Sequence, residues 1–135
     1  MRRFFSSGIN AGVLAGMVWG WVCMAANGAT GIFPFEGSFT HNLVTFSAAG
    51  AIFGMVTGGI LSVAGRFLPF RSAVARGVLV STALWVLLRF AGFFLSAVEP
   101  ERYHLAGPAL VQGVLLAAIL GAMLGLFGRS AFSRA

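Results

Sequence analysis

The chain has no lysine, no aspartate, one cysteine and one tyrosine, and its only acids are Glu36, Glu99 and Glu101. The lone Cys23 excludes an intramolecular disulfide and any all-cysteine metal site. Charged residues make up 9% of the 135 positions, where a soluble domain carries roughly a quarter. With 59% hydrophobic residues in so short a chain, a single water-soluble core is excluded and lipid becomes the better solvent. Because lysine is absent, the net charge of +6 is carried by arginine alone. The arginines flank apolar runs instead of forming a patch, so they set membrane orientation and do not point to nucleic acid.

What the chain does contain is long apolar runs, at about 8–28, 41–64, 73–97 and 108–127. Each is long enough to cross roughly 30 Å of hydrocarbon. In lipid an unpaired backbone group costs several kcal/mol, so runs of this kind are helices. A barrel would need strands of about ten residues with alternating polarity, which are absent. Pro108 suits a helical first turn, where its missing N–H is not needed. The fold class is therefore all-α, a polytopic membrane protein with four transmembrane helices in a Gly-rich bundle, and residues 1–135 form one membrane domain.

The N-terminus resembles an export signal, with Arg2-Arg3, an apolar run and then Ala25-Ala26-Asn27-Gly28-Ala29. The run from Ile9 to Ala26 is longer than a signal core, and Gly20-Trp21-Val22-Cys23 lacks the small residue that a lipobox places before its cysteine. This segment is predicted to be the first membrane helix. Arg2 and Arg3, then Arg66, Arg71 and Arg76, then Arg129 and Arg134 fall on one side; Arg102 is the only arginine in the connections on the other. The positive-inside rule puts both termini and the middle connection in the cytoplasm of a bacterial-type inner membrane. The connection 27–40 holds Gly28, Gly31, Pro34 and Gly37 among Ile32, Phe33, Phe35 and Phe39, and is predicted to lie along the outer surface or dip slightly into it, the alternative being a short re-entrant loop shielded by protein.

Apolar side chains gain nothing by hiding from lipid, so membrane helices associate through small residues that let backbones approach. Gly8, Gly12, Gly16 and Gly20 form one such stripe; Gly50, Gly54 and Gly58 form a second, continued by Ser62. Gly113, Ala117, Gly121 and Gly125 form a third. The third helix offers only Ala73, Gly77 and Ser81 before Trp85 fills the same face. These stripes serve either the bundle itself or a surface for another copy or another membrane subunit.

Sliding the two halves over each other aligns Glu36 with Glu99, His41 with His104, Gly50 with Gly113, Gly58 with Gly121 and Gly65-Arg66 with Gly128-Arg129. After a small further shift, Gly12-Val13-Leu14 falls on Gly77-Val78-Leu79. The reading is a duplicated helical hairpin, a parallel repeat about the membrane normal and not the inverted kind of many transporters. Gly-rich helices, Pro69 in the middle connection, Trp85, and His41 and His104 where helices return into the membrane make the pattern similar to the YagU-like inner-membrane proteins. That resemblance implies a small inner-membrane protein and transfers no biochemical role.

Few residues can carry chemistry. Arg89 is the one charge well inside an apolar run, at a cost of at least roughly 2.5–3.5 kcal/mol on insertion scales. It continues the line of Gly77, Ser81 and Trp85, and its long stem also permits snorkelling to outer headgroups. Its alternatives are a structural tie to Glu36, Glu99, Glu101 or a lipid phosphate, or an anion or lipid-headgroup contact. In the hairpin alignment it has no counterpart, since Met24 lies opposite. His41 and His104, with Glu36 and Glu99, are candidates for a transition-metal or pH-sensing cluster, against the simpler reading of boundary residues. Asn10, Thr45, Thr57, Ser81, Thr82 and Gln112 are scattered polar residues suited to interhelical hydrogen bonds.

No nucleophile–base–acid set and no phosphate loop can be assembled, so the chain is expected to be no enzyme and to need no cofactor. The leading expectation is a small non-enzymatic protein of the lipid bilayer, acting through helix packing as a homo-oligomer or an accessory subunit. The alternative is a small oligomeric channel or transporter using Arg89 and the outer His/Glu cluster, although the helices carry no mid-membrane Asp or Glu for cation coupling.

The topology is tested by cysteine labelling in a Cys23→Ser background. Arg71→Cys should react with an impermeant maleimide only after the membrane is opened, and Gly37→Cys should react in intact spheroplasts. The reverse pattern would invert the orientation.

Overall fold

A computed structural model of the protein describes residues 2–32, 35, 37–98 and 107–128. Four helices account for most of it: α1 (Arg2–Thr30), α2 (Phe39–Ala64), α3 (Ala73–Ser96) and α4 (Gly107–Phe127), with a 3-10 turn at Gly65–Phe67. No strand occurs among the described residues. All four helices are long and apolar enough to cross a membrane. The protein is thus a four-helix multi-pass membrane protein.

Helix ends follow local chemistry. The Ser38 hydroxyl accepts the His41 N–H at 3.2 Å and caps α2, and the Ser72 hydroxyl accepts the Ala75 N–H at 3.4 Å and caps α3. Gly31, with φ of 66°, ends α1 and donates its N–H to the Asn27 carbonyl at 2.8 Å. The first connection is therefore shorter than the sequence predicts, because Asn27 through Thr30 are helical. Helix α1 also begins at Arg2, ahead of its apolar run, since backbone hydrogen bonding continues where hydropathy stops.

The helices pair as two antiparallel hairpins. Along α1 and α2, Gly8 faces Gly58 and Ser62, Gly12 faces Gly54, Gly16 faces Gly50, and Gly20 faces Phe46. The approach is backbone to backbone: a Cβ on Gly54 would stand 2.7 Å from the Gly16 Cα, and one on Gly8 would stand 2.9 Å from the Gly58 carbonyl oxygen. Along α3 and α4, Gly77 faces Gly121, Gly125 meets Ala73 and Val74, and the Trp85 ring covers Gly113. The Ser81 hydroxyl donates to the Ala117 carbonyl at 2.6 Å. The small stripes are thus spent inside the chain, two facing each other and the third facing α3.

Contacts between the hairpins are fewer. Ala15, Leu120 and Leu124 are buried together, with Trp19, Phe53 and Met123 against them. The Trp19 and Phe53 rings stack at 5.3 Å. On the other seam Leu61 packs on Val80, with Leu68 beside them. Helix α3 is the most peripheral, with 11% of its span buried against 28% for each of the others, so most of its surface faces lipid. The antiparallel arrangement brings the start of α1, the end of α2, the start of α3 and the end of α4 to one side, together with Arg66, Arg71 and Arg76.

These contacts also define which residues are equivalent between hairpins. Gly77 meets Gly121 and Gly125 as Gly8 meets Gly58 and Ser62, and Trp85 meets Gly113 as Gly16 meets Gly50. In the sequence alignment Gly77 falls on Gly12; by contact it takes the place of Gly8, one turn away. Arg89 then corresponds to Gly20 instead of Met24.

The hairpin contact yields a paired test. Gly12→Ala or Gly54→Ala forces backbone against backbone and should lower unfolding stability in mild detergent by about 1–3 kcal/mol. A Cβ on Gly92 meets nothing within 4 Å, so Gly92→Ala should be neutral or raise stability by about 0.5–1 kcal/mol. Equal effects would refute the close approach.

Candidate functional site: a cavity between the hairpins

The residues that break the apolar pattern converge between the hairpins. Near its C-terminal end, α1 turns Asn27 inward, where only 6% of it is exposed. Near the start of α4, Gln112 faces it and donates from Nε2 to the Asn27 Oδ1 at 2.6 Å. The Thr30 hydroxyl donates to the Gln112 Oε1 at 2.9 Å. One turn further along α4, the Leu116 carbonyl accepts the Trp19 indole N–H at 2.6 Å. That carbonyl belongs to a helical backbone and has a lone pair to spare, so the indole adds a bond without breaking the helix. These four side chains and one carbonyl pin α1 to α4, supplying the polar glue that lipid cannot dissolve.

A cavity of about 210 Å³ lies against this seam, and all four helices contribute to its wall. Asn27, Gln112, Trp19, Cys23, Trp85 and Arg89 are the lining residues with polar or aromatic chemistry. Cys23 is 7% exposed and free, in keeping with a small apolar helix residue.

Arg89 brings the one charge to this cavity among the described residues. Its Cζ lies 4.9 Å from the centroid of the Trp85 ring, one turn toward the start of α3. Helical side chains lean toward the N-terminus of their helix, so the guanidinium turns back toward the membrane interior and does not snorkel to the near surface. Arg89 lies roughly 10 Å along the axis from the end of α3, at 1.5 Å per residue. The Trp85 ring face supplies a cation–π contact of up to about 2 kcal/mol where water is excluded. That offsets only part of the cost of bringing the charge into lipid.

The sequence candidates divide accordingly. Arg89 lines the cavity. His41 lies in the first turn of α2, exposed, and no group of three or more His, Cys, Asp or Glu able to hold a metal occurs among the described residues. Glu36, Glu99 and His104 lie outside the described residues, as do Glu101, Arg102, Arg129 and Arg134. Trp19 and Asn27 are the residues that sequence reasoning missed. Asn27 reads as the start of a loop because Gly28 and Gly31 follow it; its signal was an amide at the end of an apolar run matching Gln112 at the start of another. Gln112 was legible only as one polar helix residue among several. Thr82 carries a buried hydroxyl with no hydrogen-bond partner.

No protein-family model, curated protein or solved structure matches this chain.

The seam is tested by a double-mutant cycle. Asn27→Ala and Gln112→Ala should show a coupling of roughly 0.6–1.7 kcal/mol in unfolding stability, the range of interhelical hydrogen bonds in membranes. The Thr45 hydroxyl donates to the His41 carbonyl of its own helix at 2.9 Å, so Thr45→Ala should be additive with either. Full additivity of the first pair would remove the seam.

Proposed function

We propose that the protein is a non-enzymatic inner-membrane protein with both termini in the cytoplasm, whose working part is an anion-accepting site at Arg89 between the two hairpins. The observation that carries this reading is the position of Arg89. It is a cation held in the membrane interior, turned inward over Trp85, lining a cavity that also presents Asn27 and Gln112. A guanidinium is a receptor for an oxyanion, which it can hold through two parallel N–H donors. Of the expected transporter machinery, this reading keeps Arg89 and leaves the outer His/Glu cluster aside.

A second reading is a homo-oligomer or an accessory subunit of a membrane complex. The glycine stripes no longer favour it, because they are occupied within the chain. Helix α3 is where such a neighbour would find room, since its span is the least buried of the four. Native mass in mild detergent separates the two, since a defined oligomer or a stoichiometric partner seated on α3 supports the second reading.

The anion site is tested by thermal unfolding in a neutral detergent. Added phosphate or a short carboxylate should raise the melting temperature of the wild type, with stabilisation approaching about 2.7 kcal/mol at a hundredfold excess over the dissociation constant. Arg89→Gln should reach the membrane in normal amount and lose that response. A variant that responds like the wild type would sink the proposal.

A further inference from the structure

Two hollows in the bundle are each walled by the helices of a single hairpin. One of about 490 Å³ lies between α1 and α2, and one of about 380 Å³ lies between α3 and α4. Their surfaces are almost wholly apolar, and acyl chains of the bilayer cover them without discrimination. The cavity between the hairpins is of another kind. Most of its wall is apolar too, supplied by Trp19, Phe46, Trp85 and Leu116, yet Asn27, Gln112 and Arg89 line it as well. The hydrogen bonds of the seam fix what the two amides can offer. The Asn27 oxygen accepts from Gln112, and the Gln112 oxygen accepts from Thr30. This relay engages the oxygens, and it leaves unused both amide hydrogens of Asn27 and one of Gln112. Donors in the same wall as a guanidinium suit an anion and oppose a cation.

We propose that this cavity binds a small monocarboxylate with an apolar body, about the size of benzoate, its carboxylate toward Arg89 and the two amides and its body against the aromatic wall. The inference rests on the reading of Arg89 as an anion acceptor and names the class of ligand. Charge, size and wall each narrow the choice. Arg89 is the one charged side chain of the cavity among the described residues. It neutralises a monoanion, whereas a divalent anion would keep one charge uncompensated in the membrane interior, which is strongly unfavourable. At about 210 Å³ the cavity exceeds the roughly 150 Å³ that holds one benzene ring and falls short of the roughly 300 Å³ at which sites for drug-sized ligands begin. It has room for a ring or a short chain and none for a lipid tail. A bare inorganic anion or formate would use the polar groups alone and leave the rings of Trp19, Phe46 and Trp85 uncovered. An apolar body attached to the carboxylate covers them and is itself withdrawn from water.

The test is thermal unfolding of the full chain in a neutral detergent at about pH 7, where a carboxylic acid is ionised, with midpoint shifts converted into dissociation constants. The probes are benzoate, formate, sulfate and benzamide. Benzoate is expected to bind at least about tenfold more tightly than formate, which lacks the body. It should also bind at least about tenfold more tightly than benzamide, which keeps the body and lacks the charge. Arg89→Gln should bring benzoate down to the level of benzamide. Leu116→Trp narrows the cavity without touching the backbone carbonyl that accepts the Trp19 indole N–H, and it should weaken benzoate while sparing formate. The wild-type comparisons need no variant to fold. If neither carboxylate moves the midpoint more than benzamide does, this inference and the anion site fall together. If formate or sulfate binds as tightly as benzoate, the monocarboxylate with an apolar body is overturned while the anion site stands.

Discussion

In a bilayer, burial of apolar side chains ceases to distinguish one helix face from another, so cohesion has to come from close approach and from hydrogen bonds. This protein depends on the first of these to an unusual degree. Gly12 against Gly54, Gly16 against Gly50 and Gly77 against Gly121 bring main chains together with no side chain between them. Dispersion contacts are individually small and become substantial only when many atoms meet, and a flat glycine face maximises their number. The flexibility that glycine adds to an isolated helix is a smaller penalty inside a bilayer, where unpaired backbone groups have no water to turn to.

Because each hairpin is closed on itself in this way, what lies between hairpins is free to be different. The α1–α4 seam is made of polar groups and aromatic rings: Asn27, Gln112, Thr30 and Trp19. It leaves a cavity where an additional zipper would have left none. The same spacing that makes α3 fit α4 also creates the exception on α3, since Gly113 makes room for the Trp85 ring. Trp85 then offers its face to Arg89. The charge is therefore tolerated through a chain of causes that begins with a glycine on the neighbouring helix.

The two hairpins are built alike up to this point and differ beyond it. Matched by contacts, Trp85 stands where Gly16 stands, and Arg89 where Gly20 stands. In the first hairpin those positions continue the zipper. In the second they put an aromatic ring against Gly113 and a cation over that ring. If packing were the sole purpose of the bundle, small residues at 85 and 89 would extend the zipper. Their replacement by the largest side chain and the most costly charge marks the place where the bundle gives up cohesion.

Four spans, their helical nature and their small-residue stripes were legible in the sequence, because in lipid the length of an apolar run and the hydrogen-bonding needs of the backbone leave little choice. Arg89 was legible too, as a charge that the rule of apolar spans does not explain. The partners were not legible. A stripe of glycines states that something comes close and is silent on which helix, so a surface for another copy read as well as an internal seam. The contact register between the hairpins lay one turn from the sequence match, since glycine repeats every four residues and slides onto itself at each turn. Asn27 looked like the beginning of a loop until Gln112, distant in sequence, held it in the last turn of α1. The direction of Arg89, inward over Trp85 and not outward to the headgroups, was decided by tertiary structure alone. It depends on the room that Gly113 of α4 gives the indole, and no local pattern on α3 records that.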